Sequence, residues 1–210
     1  MTMYEEKEFP QRKSTRLKNF DYSTAGAYFV TICTNDRKQI LSQVTRTDLT
    51  ATDKTINFEV GEGLAPPEYW IRLKPCGETA KEQLRLLENR FPNVTVKDFV
   101  IMPDHIHAII FLRKEAGGAS PSPTLSDVIC SFKSLTSRIC KQRFGIEKMF
   151  QRSFAEHIIR DRDDYETRRK YIYDNPKRWY YKNLNSEDLP LKNGLIYDII
   201  SSIKNDLTKE

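Results

Sequence analysis

The chain lacks most of what would mark a secreted or membrane-embedded protein. Its four cysteines, Cys33, Cys76, Cys130 and Cys140, stand apart with no CxxC pair, so neither a zinc ribbon nor a disulfide framework is indicated. They read as small buried or half-buried side chains of a reducing compartment. No apolar stretch nears the roughly 18 residues needed to span a bilayer, and the leading MTMYEEKEFPQRKS carries no apolar h-region. A cytoplasmic protein is therefore expected. There is no internal repeat, and the net charge is only +5, so a polyanionic partner is favoured more by where the cations lie than by their number. Histidine is scarce as well, with three in 210 residues.

Two of those three lie together. His105 and His107 open the apolar run of VKDFVIMPDHIHAIIFL, which has the character of strand. Residues i and i+2 of a strand project from one face, so both imidazoles point at one spot, which is a metal-ligand spacing. Two packed strand histidines are the plain alternative. A divalent ion held by two imidazoles needs a third ligand, and an amide or carboxylate oxygen suits Mg²⁺ or Mn²⁺ better than thiolates do.

Around this pair the chain reads as one domain with elaborations, 39% hydrophobic and 30% charged. An arm over residues 1–24 begins acidic and turns basic at Arg12, Lys13 and Arg16. A first strand is expected over Ala27–Thr34, then an irregular insertion over about residues 41–75 with TINFEV as a candidate short strand. Strong helix formers span Glu78–Phe91 before Pro92. Strands follow over Val94–Met102 and His105–Leu112, joined at Pro103-Asp104. After the polar loop KEAGGASPSP, a helix over Leu125–Phe144 has Thr124 or Ser126 as its cap. A strand over Phe154–Arg160 precedes a helix over Asp161–Asp174, capped by an aspartate and ended by Pro176. That order predicts an α+β fold, a ferredoxin-like βαββαβ sandwich with an added C-terminal helix. The domain proper spans residues 25–182, and an extension over 183–210 holds a small helix near Ile196–Ile203.

The added helix contains KYIYDNPKRW, with Tyr171 and Asn175 one turn apart. Asn175 can supply the third metal ligand. A phenol with an ordinary pKa of about 10 becomes a competent nucleophile when the phosphate it attacks is polarised by metal. Tyr165 and Tyr173 are rivals that share a face with Asn175 less closely. Arg168, Arg169, Lys177 and Arg178 flank the tyrosine together with Trp179, Tyr180 and Tyr181, and cations interleaved with aromatics suit unpaired nucleic acid. A solvated helix face explains part of that cluster. His157, in FAEHIIR, is either structural or a phosphate contact.

Four separated stretches, RKSTRLKNFDYSTAGAYFVTICTNDR, VIMPDHIHAII, SDVICSFKSLTSRI and QRSFAEHIIRDRDDYETRRKYIYDNPKRW, occur in an order that resembles the REP-associated tyrosine transposases, domesticated relatives of single-tyrosine HUH insertion-sequence transposases. The resemblance runs through residues 12–180, with 41–75 diverging. It implies the HUH form of the ferredoxin-like fold, and a protein that cleaves and rejoins single-stranded DNA near palindromic hairpin repeats through a covalent phosphotyrosine, without ATP. Carried onto this chain, it makes His105, His107 and Asn175 the ligands of Mg²⁺ or Mn²⁺ and Tyr171 the nucleophile. Insertion-sequence relatives usually have Gln at the place of Asn175, so Asn favours the REP-associated branch. Sequence reading beside the hairpin is expected in part of Arg12, Lys13 and Arg16. The partner implied is single-stranded DNA with a REP-like hairpin, bound by a monomer or homodimer that is nucleoid-associated when on DNA. A non-catalytic binder of structured DNA or RNA derived from a transposase is the first alternative. A plasmid or viral replication initiator is the second, and no helicase-like extension accompanies it here.

Overall fold

The computed structural model describes residues 24–46, 69–113 and 123–183. In chain order these form β1 (Gly26–Cys33), β2 (Ser42–Arg46), β3 (Tyr69–Leu73), α1 (Pro75–Arg85), α2 (Leu87–Arg90), β4 (Val94–Ile101), β5 (His105–Leu112), α3 (Leu125–Phe144), β6 (Ala155–Ile159) and α4 (Arg162–Lys182). Four strands make one sheet in the order β4-β5-β1-β6, every neighbour antiparallel. With α1 between β1 and β4, and α3 between β5 and β6, this is the expected α+β ferredoxin-like sandwich. β2 and β3 pair separately as a two-stranded ribbon.

Strand alternation divides the sheet into two faces. Tyr28, Val30 and Ile32 of β1 and Ile106, Ala108, Ile110 and Leu112 of β5 join one apolar core with Ala80 and Leu84 of α1 and Val128, Ile129 and Phe132 of α3. The residues between them, Phe29 and Ile109, belong to a second cluster with Val100, Met102 and Ile172, packed by Val44, Ile71, Tyr165, Tyr171 and Trp179. So α1 and α3 cover one face, while α4 and the β2–β3 ribbon cover the other.

A bulge in β4 determines which side chains reach that second face. The register to β5 shifts between Val96 and Asp98, which adds Lys97 to the strand. One extra residue inverts the alternation: Val96 packs on the α1/α3 core, yet Asp98 turns toward α4. Without the bulge, the Asp98 carboxylate would enter an apolar core.

Local chemistry explains the helix ends. Thr124 caps α3 in a full capping box with Asp127, and Gly145 closes it in a left-handed conformation, φ 69°. Asp161 caps α4 by accepting from Asp164 N–H at 2.8 Å. The first helix begins at Pro75, three residues before the expected Glu78, because proline suits a first helical position. Gly77 is required there: a Cβ would lie 2.0 Å from the Leu41 carbonyl oxygen. The same stretch, expected as one helix to Phe91, breaks at Leu86 into α1 and α2.

The largest correction concerns Pro176, which does not end its helix. α4 continues through it to Lys182. A proline inside a helix loses one hydrogen bond and crowds the preceding turn, at about 3 kcal/mol, so tertiary contacts must hold the second half. They do: Pro176 is itself buried, the Tyr69 hydroxyl of β3 donates to that of Tyr181 at 2.8 Å, and the Tyr69 ring meets Tyr180 at 5.3 Å. The region expected as an irregular insertion thus supplies, in β2 and β3, the ribbon that receives this half-helix. The arm with Arg12, Lys13 and Arg16, the TINFEV strand, most of KEAGGASPSP and the helix near Ile196–Ile203 lie outside the described residues.

Candidate active site

His105 and His107 begin β5 on the face turned to α4. Their rings lie 4.6 Å apart, centroid to centroid, in an edge-to-face arrangement, and both residues are buried. Each ring is fixed through Nδ1. His105 Nδ1–H donates to Asp104 Oδ1 at 2.5 Å, since an ionised carboxylate can only accept. His107 Nδ1 lies 2.9 Å from Thr31 Oγ1, its cross-strand neighbour in β1. Among the described residues nothing hydrogen-bonds either Nε2. Imidazoles anchored at one nitrogen by a carboxylate or hydroxyl, with the other nitrogen free, have the outer-shell pattern of metal ligands.

The local electrostatics keep His107 in ligand form. Burial pushes the His107 pKa down to about 3, aided by the positive charges of His105 and Arg37 and opposed by the Val30 carbonyl. His107 is therefore a neutral imidazole at neutral pH. Burial acts to raise the Asp104 carboxyl, but the His105 hydrogen bond and charge, with Arg37, hold it below the usual carboxylate range.

The opposite wall is one row of α4. Tyr171, Asn175 and Trp179 follow at i, i+4 and i+8, hence on one face. Tyr171 meets His107 edge-to-face at 5.2 Å, and Trp179 lies 5.9 Å from His105. Asn175 sits between these two contacts, only 5% exposed, and among the described residues no hydrogen bond holds its amide. Among the described residues no three His, Cys, Asp or Glu side chains are grouped to hold a metal. Asn175 is the α4 side chain that could add an amide oxygen to an ion held by the two imidazoles, and an oxygen donor suits Mg²⁺ or Mn²⁺.

The three tyrosines of α4 that precede Pro176 differ in their tethering. Tyr165 Oη donates to Asp98 Oδ2 at 2.9 Å, and burial together with Asp98 pushes its phenol up to about 12. Tyr173 Oη donates to Asp98 Oδ1 at 3.3 Å and turns 42% of its surface to solvent. The Tyr171 hydroxyl has no hydrogen bond among the described residues, and its ring meets His107, Phe29 at 5.9 Å and the Arg178 guanidinium 5.3 Å from its centroid.

The cations singled out from sequence separate. Arg178 is at the site, over Tyr171, and exposed Lys177 has no ion pair among the described residues. Arg168 pairs with Asp164 at 3.3 Å and lies over Phe29, whereas Arg169 reaches Asp98 at 3.5 Å and Glu166 at 3.7 Å. His157 holds Asp164 at 2.7 Å, so it joins β6 to the first turn of α4. Sequence reasoning missed Asp104, Thr31 and Phe29, the last stacked on His107 at 5.1 Å. Alternation along AYFVTICT, which puts Phe29 and Thr31 on one face, and the Asp directly before His105 were the available signals.

With this geometry in hand, the chain compares with known proteins as follows. No family model matches it. An uncharacterized protein of Haemophilus influenzae is 27% identical over 183 residues, which cover 80% of this chain and 89% of that one. Among solved structures, a REP-associated tyrosine transposase bound to a REP hairpin has a similar fold, with a TM-score of 0.50 and 21% identity over 78% of this chain and 74% of the other. The chain is thus an α+β protein whose fold is similar to that of a REP-associated tyrosine transposase. Among the described residues no helix is long and apolar enough to cross a membrane.

Proposed function

We propose that this protein is a Mg²⁺- or Mn²⁺-dependent single-strand DNA endonuclease and strand transferase, which cuts and rejoins DNA beside palindromic hairpin repeats through a phosphotyrosine on Tyr171. One observation carries the reading. Of the three α4 tyrosines that precede Pro176, Tyr171 alone lacks a hydroxyl hydrogen bond among the described residues, and it packs against His107 of a pair whose Nε2 atoms likewise have no hydrogen bond among those residues. His105 and His107, with Asn175, would hold the ion; when bound, it polarises the phosphate and stabilises the departing oxygen. Asp104 and Thr31 orient the imidazoles. Arg178, beside Tyr171, supplies positive charge for the phosphate. The Tyr171 oxygen forms the new bond to phosphorus and gives up its proton, the phosphorus–oxygen bond to the departing strand breaks, and that oxygen takes up a proton. Because a phosphodiester is exchanged for a phosphotyrosine ester, the departed hydroxyl can reverse the step without ATP.

The hairpin substrate is supported by the REP hairpin on the transposase of similar fold and by the cations and aromatics along α4. The test uses labelled single-stranded hairpins from palindromic repeats flanking the gene. With Mn²⁺, wild-type protein is expected to form an adduct that survives denaturation, and with EDTA none. Binding of these hairpins without any adduct would overturn the nuclease reading in favour of a non-catalytic binder of structured DNA or RNA.

A further inference from the structure

Directly after β1 the backbone does something costly. Asp36 and Arg37, neither of them glycine, take successive left-handed conformations with φ of 53° and 54°. Such positions crowd Cβ against the backbone and persist only where surrounding contacts enforce them. Three of the enforcing contacts lead to the loop that ends in His105. Thr34 N–H donates to the Asp104 carbonyl at 2.9 Å, and Leu41 N–H donates to Pro103 at 3.1 Å. Thr34 Oγ1 lies 2.9 Å from the carbonyl oxygens of both Lys38 and Asp104. A third strap is Asn35 N–H donating to Met149 at 2.9 Å. The turn is thus clamped in register with the histidine strand, and strain held beside a candidate active site needs a reason.

Its product is the placement of one guanidinium. Arg37 Nη1 lies 3.5 Å from Asp104 Oδ2, longer than the 2.7–2.9 Å of a strong charge-assisted bond. The arginine side chain is 55% exposed, the aspartate only 11%. Asp104 already gives its other oxygen to His105, so one carboxylate separates Arg37 from the first histidine. Most of the five guanidinium donors remain unspent. Arg37 flanks the His105 side of the pair, while Tyr171 and Arg178 flank the His107 side. Its charge reaches His107 and Cys33 as well as Asp104.

We propose that Arg37 is a substrate-binding residue of this site: it grips a backbone phosphate of the single strand on the His105 side, next to the phosphate that Tyr171 attacks. This rests on the single-strand DNA reading above. The strained turn serves binding at the expense of stability, and that combination separates a phosphate contact from a residue that merely braces Asp104. A brace stabilises the fold, so removing it lowers the melting temperature. A strained ligand-binding residue replaced by glycine, which accepts positive φ freely, leaves the fold as stable or more so while binding weakens.

The experiment compares wild type, Arg37→Gly and Arg37→Lys in metal-free buffer with EDTA. It reads the anisotropy of a labelled single-stranded hairpin with flanks across a salt titration, together with thermal midpoints. Arg37→Gly is expected to lose about tenfold in affinity at low salt. The log–log salt slope should drop by about 0.7, one single-strand phosphate contact, with a midpoint equal to or above wild type. Arg37→Lys should recover most of the slope. Wild-type affinity and slope in Arg37→Gly would overturn the proposal while leaving the proposed function standing, and so would a lowered midpoint with the slope unchanged. Failure of wild type to bind would overturn both.

Discussion

The two faces of the central sheet are built from alternate residues of the same strands, and they do opposite work. Toward α1 and α3, Tyr28, Val30, Ile32, Ile106, Ala108 and Ile110 are all fully buried and none carries a charge. Toward α4, their immediate neighbours are Phe29, Thr31, His105 and His107, with Asp98 brought round by the bulge. The first face is close-packed apolar surface of the kind that dominates folding stability. The second face gives up apolar contact for hydrogen-bonded polar groups, held at the edges by Asp98 and by the Tyr69–Tyr181 bond. The difference teaches that strand periodicity lets one element serve stability and chemistry at once, provided that the covering helix is secured away from the reacting groups.

Substitutions on opposite sides of one strand test this division most severely. Ile106→Ala should cost about 2–5 kcal/mol in chemical denaturation, whereas Tyr171→Phe, which removes an untethered hydroxyl, should stay within about 0.5 kcal/mol. Equal losses would show that the faces are not specialised.

Acid should weaken the α4 face first. His107, with a folded pKa of about 3 against an unfolded value near 6.5, is neutral in the fold while the unfolded chain binds a proton. Its contribution is complete above about pH 6.5 and is lost progressively as the pH falls toward 3. Between pH 6.5 and 4, above the range where the lowered Asp104 and Asp164 carboxyls protonate, denaturation midpoints should fall in wild type. The slope should flatten in His107→Gln; an unchanged slope would remove His107 as its source.

Asp98→Ala should come next, at about 1–3 kcal/mol, because it leaves Tyr165, Tyr173 and Arg169 without their shared acceptor. Hydrogen exchange should locate the loss in α4 and spare α1 and α3. Uniform loss of protection would mean that α4 is not a separately secured element. The smallest effect belongs to Lys177→Ala: stability within about 0.5 kcal/mol of wild type, with the salt slope of DNA binding reduced by about 0.7. An unchanged slope would return Lys177 to the solvated face.

Much of this division is legible in the sequence because it depends on local periodicity. Alternation in AYFVTICT and HIHAIIFL places the histidines opposite the core, and the cap at Thr124 and the stop at Gly145 are matters of residue type. Features that depend on contacts distant in sequence are not legible in this way. Pro176 reads as a helix stop until the ribbon of β2 and β3 is there to receive the second half of α4. The bulge at Lys97 has no glycine or proline to mark it in VTVKDFVI, yet it decides where Asp98 points, and thereby which tyrosines are tethered. The strained turn at Asp36 and Arg37 has no glycine to announce it. Tyr171 and Asn175 could be paired by helical spacing, but their position against the histidines required the path of the whole chain.

The central claim, that Tyr171 rather than Tyr165 or Tyr173 is the nucleophile, is tested most directly by mass-spectrometric mapping of the covalent adduct formed with hairpin DNA and Mn²⁺. The account predicts a nucleotide remnant on the peptide containing Tyr171, carried by Tyr171 itself and absent from the Tyr171→Phe protein. A remnant on Tyr165 or Tyr173, or an adduct that persists in Tyr171→Phe, would contradict it.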